Sequence, residues 1–365
     1  AYVREAKLEI TREGQDAYAA RDVASDLTYR FAPAGKDGRS YLTEIRDAWG
    51  NRIELRYEGG RLTTLVDTAG REVRFSHDRK GRITGVDVAR DAAVHFAVRY
   101  RYTDAGELGE VELPLGQVTR YEYDGKHRLT TKRMPDAPTF HYAYDDETSL
   151  CVKAWSDEGF HGAGLDYEPE KRTVFVHSTP APRVLTYDGR QRLVREATPD
   201  GAFFREVKYD PDGLVLEKKN AAGDVVTFAY DERGHCTERV EGRRAWSWKW
   251  EGDRLVAQTD PETGTTTFTY DDRGGLASLT LPAGATLHVT RDGYGHVRAI
   301  HGPEGAVAAY EHDASHDLVR ETDARGWSRA RTYDPLGRPV AYQDSTGAAG
   351  RMENDALGRP TTLHF

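Results

Sequence analysis

The sequence is poor in the residues that build thick cores. Leu, Ile, Val and Phe make up about 18% of its 365 residues, below the roughly 20% at which disorder becomes a fair suspicion. That shortage argues against a compact helical globule or an aliphatic-cored enzyme. Two cysteines, Cys151 and Cys236, exclude a disulfide framework and a four-cysteine zinc site, leaving two free thiols or one bridge. No apolar run approaches the roughly 18 residues of a membrane helix. Neither charge sign dominates: 51 Lys and Arg face 60 Asp and Glu. A net charge of −9 disfavours a surface that tracks phosphates, because nonspecific nucleic-acid binding is mostly electrostatic. The opening Ala1-Tyr2-Val3-Arg4 has neither Met nor a charged-then-apolar leader, so a processed chain or a piece of a longer one is expected.

What is abundant is aromatic and turn-forming: 20 Tyr, 6 Trp and 36 Gly. Disordered chains usually lack such rings, so the chain is expected to fold as something thin, turn-rich and aromatic. The Tyr residues are periodic. Tyr-Asp occurs at Tyr123-Asp124, Tyr144-Asp145, Tyr187-Asp188, Tyr209-Asp210, Tyr230-Asp231, Tyr270-Asp271 and Tyr333-Asp334. Degenerate copies fill the gaps, among them Tyr57-Glu58, His77-Asp78, Tyr102-Thr103, Tyr167-Glu168, Trp250-Glu251, Arg291-Asp292, His312-Asp313 and Asn354-Asp355. The mean period is about 21 residues, the signature of a repeat architecture.

Each copy extends to Tyr-Asp-x-x-Gly-Arg-Leu, with Gly213, Gly234, Gly274, Gly337 and Gly358 in the Gly slot. Asp suits the first position of a type I turn, and Gly supplies the left-handed residue that closes a bulged hairpin. Where Gly is replaced, His127 and His316 stand in; histidine tolerates that region better than most residues. A second turn signal lies between copies, as at Asp67-Thr-Ala-Gly70 and Asp344-Ser-Thr-Gly347. The unit is therefore strand, turn, strand, turn, with strands of about 5 to 7 residues. Thr266, Phe268 and Tyr270 fall on one strand face, and Thr265, Thr267 and Thr269 on the other.

The expected fold is all-β: a long antiparallel meander of about 15 or 16 hairpins. A ribbon of about 30 strands must curl or split as strand twist accumulates, so a hollow shell or open spiral is expected. The alternative is a β-propeller, since two units match a four-stranded blade. Residues 1–44 read as irregular lead-in repeats, with Tyr29-Arg-Phe31 and Tyr41-Leu-Thr43 around an insertion, and 45–365 as the repeats proper. Residues 146–186 are the least regular and predict a loop or decoration, and 15–26 can pass for one turn-rich helix.

These in-phase copies resemble the Rhs/YD-repeat family, as in Tyr333-Asp-Pro-Leu-Gly-Arg338 and Tyr270-Asp-Asp-Arg-Gly-Gly-Leu276. The family includes bacterial Rhs polymorphic toxins, the C component of Tc toxin complexes and animal teneurins. The resemblance implies a hollow β-shell that, in the toxins, sequesters a C-terminal toxin domain until delivery. It implies as partners that cargo domain, the remaining shell repeats and a secretion-system spike or adaptor, with no nucleic acid and no membrane span. The implied location is an exported bacterial effector, with the cell surface as a second location. Only three Asn are present (Asn51, Asn220, Asn354), none in a glycosylation sequon, which suits a bacterial member. The end at Thr361-Thr-Leu-His-Phe365 reads as a truncated segment of a larger protein.

Candidate chemistry is sparse. The family's toxin members carry paired Asp-Pro-x-Gly motifs that act as an aspartyl autoprotease. Here Asp210-Pro-Asp-Gly213 and Asp334-Pro-Leu-Gly337 are 124 residues apart, each in an ordinary turn slot, so turn residues are expected rather than an acid pair. His312 and His316 lie four apart, but in a turn rather than on a helix, and His161-Gly-Ala-Gly164 lacks an accompanying nucleophile motif. No catalytic residue, metal or cofactor is expected, and the residues that matter are the Tyr, Asp and Gly of the repeat. A carbohydrate- or protein-binding module is the functional alternative, with Trp155, Trp246, Trp248 or Trp250 as platforms. The alternation of the last three on one strand face favours packing.

Overall fold

The structure, a computed structural model, describes residues 2–3, 7–14, 17–33, 35, 38–157, 159, 162–178 and 181–364. They form 35 strands in chain order, from Tyr2–Val3 to Pro360–His364, and one 3-10 turn at Pro169–Lys171. Side chains alternate as expected: along Gly264–Tyr270 half-buried and exposed positions take strict turns, and the same holds for Trp246, Trp248 and Trp250, all half-buried. Among the described residues no large side chain is fully buried, and the buried apolar residues are Ala19, Val23, Ala89, Val98 and Ala197. The aliphatic shortage thus corresponds to a sheet whose faces are only half covered.

The chain divides into two compact units, residues 99–247 and residues 1–98 with 248–365. In the 99–247 unit each strand pairs antiparallel with its chain neighbour without a break, from Arg99↔Glu112 to Glu238↔Ser247. A propeller requires the ladder to stop every four strands; the unbroken meander removes that alternative. In the other unit the ladder likewise runs from Tyr2↔Glu9 onward and through Asp260↔Gly264 to Arg351↔His364.

Two local expectations are corrected. The helix read at 15–26 is instead the strand Ala17–Asp22 followed by a turn, with Gln15 and Asp16 outside the described residues. Its backbone is paired on both sides, with Leu8–Glu13 and with Leu27–Phe31. Two ladders outweigh the modest helix preference of its alanines. The loop read at 146–186 is mostly strand: Cys151–Ser156, Ala163–Glu168, Thr173–Ser178 and Arg183–Tyr187. Phe160 and His161 lie outside the described residues. Among the described residues this stretch also holds the 3-10 turn and Arg172, which adopts a left-handed φ of 51°.

In the unit containing both chain ends, turns from early repeats meet turns from late ones. Asn51 Nδ2 donates to Tyr294 O at 2.8 Å, and Arg90 Nη2 donates to Ser315 Oγ at 2.6 Å. The Arg273 guanidinium lies 5.2 Å from the Trp49 ring centre. The early partners come from the linking turns between copies, and the late partners from the Tyr-Asp turns. A shared 21-residue period keeps the two rows of turns in step: Trp49 lies against the turns of Arg273 and Gly295, and Arg90 reaches the turns of Ser315 and Pro335, two repeats on.

Gly295 shows how tight this joint is. Its φ is 88°, and an added Cβ would lie 2.5 Å from Trp49 Cγ. Gly213 has a similar φ of 95° but only Arg192 Nη1 nearby, at 3.8 Å. Gly213→Ala should therefore cost roughly 1–2 kcal/mol from backbone strain alone. Gly295→Ala should cost more, and Trp49→Ala should abolish the excess; urea unfolding of the single and double variants checks this non-additivity.

Candidate functional site

The repeated residues converge on one device, a clamped turn. In the copy at 123–129, Asp124 N–H donates to Arg128 O and His127 N–H donates to Asp124 O, both at 3.0 Å. Asp124 Oδ1 accepts the Lys126 and Arg128 N–H groups at 2.8 and 3.0 Å, while Oδ2 accepts Arg128 Nε at 2.7 Å. His127 takes a φ of 63°, and the ladder slips by one residue between Glu122 and Tyr123. This is the bulged hairpin expected from the sequence. The same carboxylate–arginine pair joins Asp188 to Arg192, Asp334 to Arg338 and Asp355 to Arg359 at 2.5–2.7 Å.

The other predicted turns follow suit with variations. Asp271 Oδ1 accepts Arg273 and Gly275 N–H, and Asp210 Oδ1 accepts Leu214 N–H. Gly275 occupies the Arg slot because a side chain there would meet Trp49 and Arg291. Asp231 holds His235 in place of Arg, at 2.9 Å. Asp145 caps a turn one residue longer, accepting from Thr148 N–H at 2.7 Å, with Ser149 at φ 60°. Gly234, Gly274, Gly337 and Gly358 have φ between 78° and 87°.

Tyrosine connects successive clamps. Its hydroxyl donates to the carbonyl that opens the return strand of the preceding hairpin. Tyr123 reaches Leu108 O at 3.0 Å, Tyr144 reaches Leu129 O at 2.7 Å, and Tyr209 reaches Leu193 O at 3.1 Å. Tyr230 reaches Val215 O at 2.8 Å, Tyr270 reaches Leu255 O at 2.7 Å, and Tyr333 reaches Leu318 O at 2.6 Å. Tyr167 does the same with Cys151 O at 2.8 Å, so the cross-link survives where the motif's letters have drifted. Tyr187 departs: its backbone N–H meets Arg172 O, just after the 3-10 turn. Burial raises the phenol pKa of Tyr123, Tyr144, Tyr230, Tyr270 and Tyr333, which keeps each ring a proton donor. Arginine adds a second link: Arg128 Nη1 donates to Asp145 O at 3.1 Å, and its guanidinium lies 4.9 Å from the Tyr144 ring.

In the Asp-Pro motifs, Asp210 Oδ1 accepts Leu214 N–H and Asp334 Oδ1 accepts Arg338 N–H, each within its own turn. Cys151 and Cys236 are half-buried thiols whose Sγ atoms donate to Lys153 O and Glu238 O. One grouping escaped the sequence reading. His316 does occupy a Gly slot with φ 69°, but its Nδ1 lies 3.2 Å from Nε2 of His296, in the turn one repeat earlier. The His312 ring stacks on His296 with centres 4.4 Å apart, and Asp292 Oδ2 lies 2.9 Å from His296 Nδ1. Burial, then the neighbouring His296, holds His312 below the ordinary histidine value. The overlooked signal is the period itself: slots one repeat apart are neighbours, so His296 and His316, 20 residues apart, had to meet.

Residues 201–343 match the teneurin YD-shell family model and residues 102–139 match the RHS repeat model. Double-stranded DNA deaminase toxin A of Burkholderia cenocepacia (strain H111) is 28% identical over 335 residues, spanning 86% of this chain and 20% of that protein. Probable deoxyribonuclease RhsB of Dickeya dadantii (strain 3937) is 28% identical over 332 residues, spanning 89% and 23%. The chain thus spans about a fifth of the length of these curated relatives. Among solved structures, TcdB2-TccC3-Cdc42 superposes with a TM-score of 0.57 at 11% identity, over 95% of this chain and 25% of that one. The Photorhabdus luminescens Tc holotoxin pore gives 0.58 at 13%, over 98% and 22%. The clamped turns, the tyrosine ladder and these matches define a YD-repeat β-sheet. Over these residues the chain is similar to the Rhs/YD-repeat family.

Two tests follow from the clamp. Tyr144→Phe and Tyr270→Phe should each destabilise by about 1 kcal/mol, the net worth of a hydrogen bond whose acceptor is left behind. Chemical denaturation measures it. The second concerns pH. Backbone N–H donation from Arg128 foremost holds Asp124 below the ordinary carboxylate value, and the same bond from Arg192 and from Arg359 lowers Asp188 and Asp355. A lowered carboxylate stabilises the fold above the unfolded-state pKa of about 3.9 and stops doing so as pH falls through the folded value. Asp124→Asn should therefore melt below the parent chain at pH 7, and the gap should close below about pH 4.

Proposed function

We propose that this chain is a wall segment of a bacterial Rhs-type toxin, a non-enzymatic part of a hollow shell that sequesters a C-terminal toxin domain until delivery. The observation that carries this reading is the joint between turn rows. Early linking turns seat against late Tyr-Asp turns, as Asn51 does on Tyr294 and Arg90 on Ser315 and Pro335. Opposite edges of one ribbon meeting 225 to 245 residues apart is what a wound wall requires. The toxin names of the relatives and their much greater length support a cargo encoded elsewhere in the same polypeptide. The half-buried tryptophans of Arg244–Glu251 fit wall packing better than glycan platforms. As an exported effector, the parent protein would have the cargo, further shell repeats and a delivery-system spike or adaptor as partners.

Limited proteolysis of the parent protein tests the reading. The region following the last repeat should resist trypsin far longer than the same region expressed alone. Trp49→Ala combined with Arg90→Ala should shorten that protection by loosening the joint. Equal cleavage of the enclosed and free region would remove the shell reading.

A further inference from the structure

We propose that Asp292, His296, His312 and His316 form a binding site for a divalent d-block cation of the zinc class. The site rests on two consecutive clamped turns. In the first, His296 occupies the Arg slot, and Asp292 takes its Nδ1 at 2.9 Å, as it would take an arginine. An acidic partner on Nδ1 fixes the proton there and leaves the Nε2 lone pair outward, the arrangement that orients metal-binding histidines elsewhere. In the second turn, His316 occupies the Gly slot, and its left-handed backbone brings Nδ1 to 3.2 Å from that Nε2.

The distances suit a metal. Tetrahedral zinc with Zn–N bonds of 2.0–2.1 Å sets neighbouring donor atoms about 3.3 Å apart. The His296–His316 separation matches one such edge. Asp292, His296 and His312 each place a donor atom within 4.8 Å of the others. The groups are half-buried rather than solvated, with the His296 side chain 22% exposed. Imidazoles beside one carboxylate favour zinc, nickel or copper over magnesium or calcium.

Access and charge also fit. His296 and His316 border a cleft of about 400 Å³ that also includes Asn51 and Arg71. Arg71 is neutralised there by Asp67, with Nε to Oδ2 at 2.6 Å. A bound cation would tie two adjacent turns together beside Tyr294, whose carbonyl receives Asn51 in the joint between rows.

Zinc titration of the whole chain, after chelator treatment and dialysis, tests this by competition with a chromophoric chelator. One equivalent should bind, and His296→Gln or His312→Gln should weaken it at least tenfold. Asp292→Asn should weaken it about tenfold through the lost orientation of His296. His288 and His301 are exposed cross-strand partners on the neighbouring strands and supply the control; changing both to Gln should leave binding intact. Circular dichroism establishes that each variant is folded. Zinc should raise the melting temperature of the parent chain and of the control, but not of His312→Gln. Equal zinc affinity in parent and His296→Gln, or loss only in the His288/His301 variant, would overturn the proposal.

Discussion

A phenol donating to a carbonyl one hairpin back is the bond on which this structure depends. A two-stranded hairpin is marginal alone, and a half-covered sheet gains little from burial. Each Tyr-Asp tyrosine offsets this by lying over the neighbouring hairpin and tying its hydroxyl to that hairpin's backbone. The acceptor is the carbonyl beside the bulge, where the ladder slips and a C=O is freed for another donor. Bulge and tyrosine therefore need each other. The Asp that shapes the bulge also holds the Arg that reaches forward to the next turn, so one seven-residue motif links both to the hairpin before and to the hairpin after.

Such coupling is nearest-neighbour in kind, as in other repeat arrays. It explains why the motif can decay without loss of the fold. At Tyr167 the Asp has become Glu168, yet the hydroxyl still finds Cys151 O. At Asp231 and Asp292 histidine replaces arginine and keeps the carboxylate contact. At Gly275 the arginine is absent because Trp49 arrives from a distant repeat. At Gly275 the substitution thus marks a place where something besides the neighbouring hairpin touches the turn.

Much of this was legible from the chain alone. The 21-residue period, the positive-φ slot and the alternation on strands such as Gly264–Tyr270 all follow from local stereochemistry, and they reappear in the structure. The local reading failed where pairing overrules propensity. Ala17–Asp22 looks helical by composition but is held by two ladders. The stretch 146–186 looks irregular by motif but pairs as strands. The role of tyrosine was legible only in part. Ring coverage followed from the composition, but the specific carbonyl acceptor did not, because it depends on how hairpins stagger.

The sequence by itself therefore determined the unit: where each turn falls, which residue takes the left-handed conformation, and that hairpins succeed one another in a meander. These are decided within a few residues by backbone sterics and side-chain hydrogen bonding. Only the tertiary structure decided which turns meet across more than 200 residues and why Gly295 must leave room for Trp49. Those outcomes depend on strand twist summed over many hairpins, a quantity that no single repeat encodes.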